Sequence, residues 1–274
     1  SLNLANLDFF EKKLGTFKKW IQQPYGMIII SGPTGSGKST TLYAALKEIY
    51  SEGINITTVE DPVEYQLKGI NQVQMHEEIG LTFSSALRSI LRQDPDVLLI
   101  GEIRDQETAD IAVKFSLTGH LVFSTVHAND APSTIARLLD LGIPPFLLGS
   151  CLNLVMAQRL VRTIDKDSKE TYKPSTEDFD RLGFPKDKRN ESFYRGVGNQ
   201  GNHNTGYKGR TAIHEILEVN TAMKQLIFED ANQNQIKEAA KQAGMTTLRQ
   251  AGIEKILEGK TDINEVLRAT VEDS

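Results

Sequence analysis

The 274-residue sequence contains a single cysteine, Cys151, so no disulfide can form within the chain and no metal site can use several thiolates. Such sparing use of cysteine is typical of proteins of the reducing cytosol. Long apolar runs are also absent, because prolines and polar residues interrupt the longest one, at residues 143–157. That stretch is too short to span a bilayer, and we expect no membrane-inserted segment.

A basic excess is missing as well. Lys and Arg number 31 against 36 Asp and Glu, which gives a formal net charge of −5. An acidic balance argues against a protein that binds nucleic acid through bulk charge. Basic and aromatic residues are nowhere interleaved in the pattern that binds single strands. The chain begins Ser-Leu-Asn-Leu with neither an initiator methionine nor a signal peptide. We expect it to be a fragment of a longer protein.

Short apolar segments alternate with helical patterns through the first half of the chain. Residues 1–25 are predicted to form a helical lead-in. Predicted strands cover residues 27–31, 54–59, 97–100 and 121–124, and predicted helices cover 39–50, 84–92 and 108–117. This alternation predicts an α/β fold with a mostly parallel sheet and helices on its faces.

The second half of the chain changes character twice. Residues 163–204 are polar and poor in aliphatic side chains, and they predict a surface excursion or a small subdomain. Strand character returns at 211–217, and helices are predicted at 222–228, 233–242, 247–257 and 262–270. We therefore divide the chain into a core at 1–162, a loop-rich region at 163–210, and a last strand with a helical subdomain at 211–274.

A glycine-rich loop supplies the most specific motif. Residues 32–39 read G-x-x-x-x-G-K-S, after a predicted strand and before a predicted helix. Glycines allow successive backbone N–H groups to converge on phosphates, and the start of the helix adds partial positive charge. Lys38 would reach the β- and γ-phosphates, and the Ser39 hydroxyl could ligate Mg²⁺. This loop therefore predicts that the protein binds a nucleoside triphosphate.

Carboxylates are needed beside such a loop, to organise Mg²⁺ and to position water. Glu60 and Glu64 follow one predicted strand, and Glu102 stands at the carboxyl end of another. Ligands bind at that end in open α/β sheets, which favours Glu102 over Asp96 at the opposite end. The alternative for each carboxylate is a solvated loop residue or a helix cap.

Histidines and arginines are less specific signals. His120 and His127 bracket the strand at 121–124 but lack the pairing of a metal ligand set. A packed, hydrogen-bonded histidine is the favoured reading from the residues alone, with a γ-phosphate contact as the alternative. Arginines bind phosphate oxygens, yet a single surface arginine is more often solvated or paired with a carboxylate. The candidates are Arg88, Arg92, Arg104 and Arg210.

Together these motifs resemble those of the secretion ATPases that drive type II secretion and type IV pilus assembly. Four segments resemble the family's Walker A, aspartate box, Walker B and histidine box, in the family's order: residues 32–43, 56–64, 92–105 and 119–129. The resemblance implies a RecA-like P-loop NTPase core with a mostly parallel sheet. A small loop-rich insertion and a C-terminal helical subdomain would follow.

The resemblance also implies residue roles and cofactors. The cofactors are ATP and Mg²⁺, with Ser39 and Glu102 at the metal. Glu60 would be the general base with Glu64 assisting, and His127 would lie near the γ-phosphate. Arg88, Arg92, Arg104 and Arg210 would contact nucleotide, neighbouring motifs or an adjacent subunit. The predicted nucleotide-binding residues are Gly32, Thr34, Gly35, Ser36, Gly37, Lys38, Ser39 and Thr40.

Members of this family are ring hexamers on the cytoplasmic face of the inner membrane. The implied partners are further copies of the chain, an inner-membrane platform protein and a cytoplasmic adaptor, without nucleic acid or membrane insertion. A type IV secretion traffic ATPase is an alternative, although residues 205–211 fit it poorly. The sequence also leaves open a RecA-like nucleic-acid motor and a nucleotide-dependent interaction module with slow hydrolysis.

The sequence departs from the family pattern at a zinc-binding tetracysteine module. The four cysteine positions fall on Asp165, Ser168, Asn199 and Asn202. Asp and Asn replace thiolates poorly in a structural zinc site. We therefore predict that hydrogen bonds and packing hold this loop together without zinc. A second departure is at the start: the family carries domains before the motor core, so we expect this sequence to be the C-terminal ATPase domain of a longer protein.

Overall fold

A seven-stranded, mostly parallel sheet forms the centre of the computed structural model, which describes residues 2–76, 80 and 82–270. Its strands are β1 (Gly26–Ser31), β2 (Ile56–Glu60), β3 (Asn71–Gln74), β4 (Val97–Ile100), β5 (Leu121–Val126), β6 (Leu152–Ile164) and β9 (Tyr207–Glu218). Their order is β3-β2-β4-β5-β1-β6-β9, and β9 alone pairs antiparallel within this sheet. A separate hairpin pairs β7 (Lys169–Tyr172) with β8 (Phe193–Gly196).

Helices cover both faces of the sheet. They are α1 (Glu11–Ile21), α2 (Lys38–Ile49), α3 (Phe83–Leu91), α4 (Gln106–Leu117), α5 (Ala131–Asp140), α6 (Pro145–Cys151), α7 (Thr176–Leu182), α8 (Thr221–Phe228), α9 (Gln233–Gln242), α10 (Leu248–Leu257) and α11 (Ile263–Ala269). Side chains alternate between faces along a strand, so Met27 and Ile29 join one apolar cluster while Ile28 and Ile30 join another. Burial on both faces explains why the parallel strands read as continuous apolar runs. Within the described residues, no helix has both the length and the apolar character needed to cross a membrane.

The structure confirms the predicted α/β alternation and adds elements that the sequence did not reveal. β3 is a polar four-residue edge strand, and β6 begins within the proline-interrupted stretch at 143–157. The predicted lead-in at 1–25 contains one α-helix, α1, and a short 3₁₀ turn at Leu4–Asn6. The polar region at 163–204 contains β7, α7 and β8. The division at 162 and 210 stays a prediction, and both boundaries fall within long strands, β6 and β9.

A buried glutamate on β9 fixes the starts of two helices. Glu215 is 3% exposed, and its two carboxylate oxygens accept hydrogen bonds from the backbone N–H groups of Ala131 and Leu248, each at 2.8 Å. These N–H groups begin α5 and α10, where a negative charge is favoured by the helix dipoles. Because α5 starts directly after the segment that leaves β5, Glu215 also anchors the end of that segment.

The buried His214 is expected to make the folded chain less stable as the pH falls. Its ring stacks on Phe9 at 3.8 Å between centroids, and neither ring nitrogen has a hydrogen-bond partner within the described residues. Burial, with Lys13 and Lys255 adding to it, lowers the pKa of His214 well below its usual value. Below pH about 6.5 this imidazole takes up a proton in the unfolded chain but not in the folded chain. The free energy of unfolding therefore falls by about 1.4 kcal/mol between pH 7.5 and 5.5.

Urea unfolding of the wild type and of His214→Phe at these two pH values tests the prediction. Phenylalanine keeps the stack on Phe9 and has no group to titrate, so we expect it to reduce the loss of unfolding free energy on acidification. Equal losses in both proteins would contradict the assignment.

Candidate active site

A cavity of about 370 Å³ lies where the loops after β1, β2, β4 and β5 meet. Parallel strands carry their carboxyl ends at one edge of the sheet, and ligands bind there in open α/β folds. Most of the predicted site residues line this cavity: Thr34, Gly35, Gly37, Lys38, Ser39, Thr40, Glu60, Glu64, Glu102, Arg104 and His127. Residues from four distant segments of the sequence therefore share one site.

The glycine-rich loop is shaped by its glycines and held by one side chain from β6. Gly37 has a φ of 85°, a left-handed conformation that favours glycine, and α2 begins directly after it. A Cβ atom at Gly32 would lie 2.6 Å from the carbonyl oxygen of Gln158, so the approach of loop and strand also requires glycine. The Gln158 amide donates to the Ser36 carbonyl at 2.9 Å and accepts from the Thr41 hydroxyl at 2.8 Å.

Lys38 is directed back onto its own loop. Its ammonium donates a hydrogen bond to the Gly32 carbonyl at 2.5 Å. Burial lowers the pKa of Lys38, while the negative charge of Glu102 acts in the opposite direction and Arg159 adds to the lowering. Phosphate oxygens are stronger partners for an ammonium than a neutral carbonyl, so this lysine is placed to exchange one for the other.

Glu60 is a buried carboxylate with several donors around it. It ends β2, is 5% exposed, and accepts hydrogen bonds from the hydroxyls of Tyr43 and Thr58 and the amide of Gln72. Glu64 differs, because it is exposed at the rim of the cavity. The Glu64 backbone N–H donates to the Tyr43 hydroxyl at 3.2 Å, which joins the two glutamate positions.

Glu102 lies after β4 between a histidine and an arginine. Its Oε1 is 3.0 Å from Nε2 of His127, and its Oε2 is 4.0 Å from a guanidinium nitrogen of Arg104. The His127 side chain is 55% exposed, so it is not the packed, buried histidine that the residues alone favoured. His120 is a packed histidine of that kind: its ring stacks on Phe115, and its Nδ1 lies 3.1 Å from the Phe115 carbonyl oxygen.

The structure leaves several predicted residues outside the cavity lining. Arg88 forms an ion pair with Glu107 on the surface. Arg92 follows α3 and Arg210 lies on β9, both exposed, and their predicted contacts with nucleotide or an adjacent subunit stay predictions. Gly32 and Ser36 belong to the loop but are buried and do not line the cavity, and the Ser36 hydroxyl has no hydrogen-bond partner within the described part of the chain.

Sequence reasoning missed four side chains of the site. Tyr43 and Thr58 lie within recognised motifs, and Tyr43 follows Ser39 by four residues, one helical turn. Gln72 belongs to the missed strand β3. Arg159 is 9% exposed and donates to the carbonyls of Asn129 at 2.5 Å and Gln158 at 2.8 Å. It thereby links the segment after β5 to β6, beside the phosphate loop.

Hydrogen bonds hold the loop at the four positions where the family resemblance would place cysteines. The Asn202 amide donates to the Asp165 carboxylate at 3.1 Å, and both side chains are buried. The Ser168 hydroxyl donates to the Val197 carbonyl at 2.9 Å, and the Asn199 carboxamide accepts from the Asn202 backbone at 3.0 Å. These bonds agree with the predicted way of holding the loop. That it binds no zinc stays a prediction.

Comparison with known proteins identifies one family over nearly the whole chain. The family described as type II/IV secretion system protein matches residues 1–268. A type IV pilus assembly ATPase, PilB, from Myxococcus xanthus is 48% identical over 274 residues, covering 99% of this chain and 48% of the relative. A type II secretion system protein E from Xanthomonas campestris is 46% identical over 265 residues, covering 96% of this chain and 47% of the relative. The chain thus spans about half the length of these curated relatives.

Solved structures support the same relationship. The crystal structure of the pilus retraction motor PilT with bound ADP superposes with a TM-score of 0.74 and 28% identity, covering 98% of this chain and 67% of that chain. The ATPase DotB from Legionella pneumophila gives a TM-score of 0.70 at 20% identity, covering 96% and 64%, which bears on the fold alone. The likeness confirms the predicted RecA-like core.

Proposed function

The chain belongs to the type II/IV secretion system protein family, and from this premise we propose that it hydrolyses ATP to ADP and phosphate. The observation that carries the proposal is the meeting of the phosphate loop, Glu60 and Glu102 in one cavity. A P-loop binds the nucleotide phosphates, and the nearby carboxylates can organise Mg²⁺ and position the attacking water, which hydrolysis also requires. The ADP in the related motor PilT supports the choice of nucleotide.

The β- and γ-phosphates would lie over the start of α2. The first backbone N–H groups of α2 have no acceptor within the helix, and the helix dipole favours negative charge there. Lys38 would exchange its hydrogen bond to the Gly32 carbonyl for bonds to the phosphate oxygens. Thr34 and Thr40 line the same cavity and would add hydroxyl contacts.

Magnesium fits the oxygen donors at this site. The hydroxyl of Ser39 and the carboxylate of Glu102 both line the cavity, and hard oxygen ligands are those that Mg²⁺ prefers. Within the described residues, no group of three or more His, Cys, Asp or Glu side chains could hold a metal unaided. Sites that share the ion with substrate phosphates use one or two protein carboxylates. When bound, the ion would offset the negative charge of the phosphates.

Glu60 would act on the attacking water. The water oxygen forms a bond to the γ-phosphorus, and the bond to the β–γ bridging oxygen breaks with its electron pair leaving on ADP. Glu60 orients the water and receives its proton, which then passes to solvent, and the exposed Glu64 assists at the rim. Positioning and electrostatic stabilisation supply most of the acceleration in such reactions.

His127 and Arg104 would act beside Glu102. His127 lies within hydrogen-bond distance of that carboxylate, lines the cavity, and has more than half of its side chain exposed. This position allows one ring nitrogen to hold Glu102 while the ring edge faces the γ-phosphate. Arg104 would add positive charge where charge develops on the transferring phosphoryl group.

The energy of hydrolysis would power type IV pilus assembly or type II protein secretion. The relatives carry names from these two systems, which supports this part of the proposal. The complete protein would work as a ring hexamer peripheral to the inner membrane, with a platform protein and an adaptor as partners. Arg88, Arg92 and Arg210 are exposed and would then be available to an adjacent subunit.

Phosphate release measured against protein concentration, with and without single-stranded DNA, tests the proposal. We expect Mg²⁺-dependent hydrolysis that DNA does not stimulate. A specific activity that rises with concentration would indicate a site completed between subunits. Stimulation by DNA with a steep salt dependence would instead favour a nucleic-acid motor.

A further inference from the structure

The hydroxyl of Tyr43 lies at the junction of the two glutamate positions and the phosphate-loop helix. It donates a hydrogen bond to Oε1 of Glu60, accepts one from the Glu64 backbone N–H at 3.2 Å, and lies 3.4 Å from the Gln72 amide. The residue is 1% exposed and sits in the second turn of α2. This tyrosine therefore contacts the carboxylate proposed to handle water from the wall of the cavity, with almost all of its own surface buried.

We propose that Tyr43 is a positioning residue that aims the Glu60 carboxylate at the attacking water and ties its position to that of the bound phosphates. The inference rests on the proposed ATP hydrolysis and adds a residue to it. Tyr43 acts through Glu60, because its hydroxyl donates its only proton to that carboxylate.

The hydrogen bonds around Glu60 leave little freedom of orientation. A carboxylate offers about four acceptor sites. Tyr43 occupies one on Oε1, and Thr58 at 2.6 Å and Gln72 at 3.3 Å occupy two on Oε2. Since Glu60 also lines the cavity, the remaining site is the one through which it would bind water.

Tyr43 differs from the other two donors in the element that carries it. Thr58 lies on β2 beside Glu60 itself and Gln72 lies on the adjacent strand β3, so both move with the sheet. Tyr43 lies on α2, which begins at the phosphate-binding Lys38. A helix is stiff over two turns, so the position of the phosphates fixes the position of the hydroxyl and, through it, the carboxylate.

The tyrosine also remains a donor at every working pH. Burial, followed by the hydrogen bond to Glu60, raises the pKa of Tyr43 above its usual value. The hydroxyl therefore keeps its proton beside the glutamate, and the bond persists across the pH range in which the enzyme would act.

Tyr43→Phe removes the hydroxyl and keeps the ring, which tests the inference directly. We expect kcat to fall about tenfold or more, the range of one hydrogen bond to a charged group, with KM and the affinity for Mg·ADP unchanged. Tyr25→Phe is the matched control, because Tyr25 is 59% exposed and lies outside the cavity. Gln72→Leu removes a second donor to Glu60, together with the 3.4 Å contact between its amide and the Tyr43 hydroxyl, and should lower kcat selectively as well.

A double-mutant cycle separates positioning from general support of the fold. If Tyr43 acts through Glu60, adding Tyr43→Phe to Glu60→Gln should change the residual rate by less than about twofold. Losses that multiply in the double variant, or a loss that appears in KM and thermal stability while kcat is kept, would overturn the inference.

Binding of ADP with aluminium fluoride distinguishes this inference from the proposed function. The wild type should bind the transition-state analogue more tightly than ADP, and Tyr43→Phe should reduce that preference. A wild type that neither hydrolyses ATP nor prefers the analogue removes the proposed function and this inference with it. A wild type that does both while Tyr43→Phe does the same removes this inference alone.

Discussion

Replacing Lys38 with alanine is expected to abolish measurable nucleotide binding. The ammonium would make charge-assisted hydrogen bonds to the β- and γ-phosphates, and each such bond contributes about 1.5–3 kcal/mol. Losing them weakens binding by roughly 100-fold or more. Titration calorimetry with the Mg²⁺ complex of a non-hydrolysable ATP analogue, which keeps the γ-phosphate, measures this loss.

Lys47→Ala is the matched control for this experiment. Lys47 lies on the same helix, α2, and is exposed away from the cavity lining. Lys47→Ala removes the same charge from the chain as Lys38→Ala but leaves the cavity intact. We therefore expect this variant to bind nucleotide with wild-type affinity. Lys38→Ala with wild-type affinity would show that the phosphates do not lie over this loop.

Replacing Glu102 with glutamine is expected to remove most of the hydrolysis while ATP binding is largely spared. Glutamine keeps the shape of the side chain but loses the negative charge that would hold the metal shell and that faces His127 and Arg104. Loss of one electrostatic contribution to the transition state costs about 100-fold to 1000-fold in rate. Single-turnover kinetics measures the loss of hydrolysis, and a separate titration measures whether ATP binding is retained.

Asp96→Asn is the control for the Glu102 variant. Asp96 precedes β4 while Glu102 follows it, so the two carboxylates stand at opposite ends of one strand. The Asp96 carboxylate accepts from the Asn55 backbone N–H at 2.8 Å, a bond that the oxygen of asparagine can also accept. We expect wild-type hydrolysis from this control. Wild-type hydrolysis by Glu102→Gln would refute the assignment.

The fold was predictable where local pattern and tertiary environment agree. β1, β4 and β5 are buried on both faces, so their sequences are short apolar runs that identify parallel strands. β3 sits at the edge of the sheet, and its sequence Asn-Gln-Val-Gln carries no such signal. β6 follows the short helix α6 directly, with no turn residue between Cys151 and Leu152, so the sequence carries no signal for its start.

The site was predictable in the part that is local in sequence. The phosphate loop is contiguous, and Glu60 and Glu102 could be placed because they end or follow apolar strands. The contacts among Tyr43, Glu60 and Gln72 depend on how α2 packs against β2 and β3, which a single sequence does not encode by spacing. Exposed arginines carry no local signal at all, since solvated and functional ones look the same.

Phosphate release at saturating Mg·ATP, measured side by side for the wild type, Lys38→Ala and Glu102→Gln, tests the central claim most directly. That claim is that the cavity at the carboxyl ends of β1, β2, β4 and β5 hydrolyses ATP. We predict Mg²⁺-dependent turnover by the wild type that both substitutions remove. Turnover that survives both substitutions would contradict the account, because hydrolysis would then occur elsewhere.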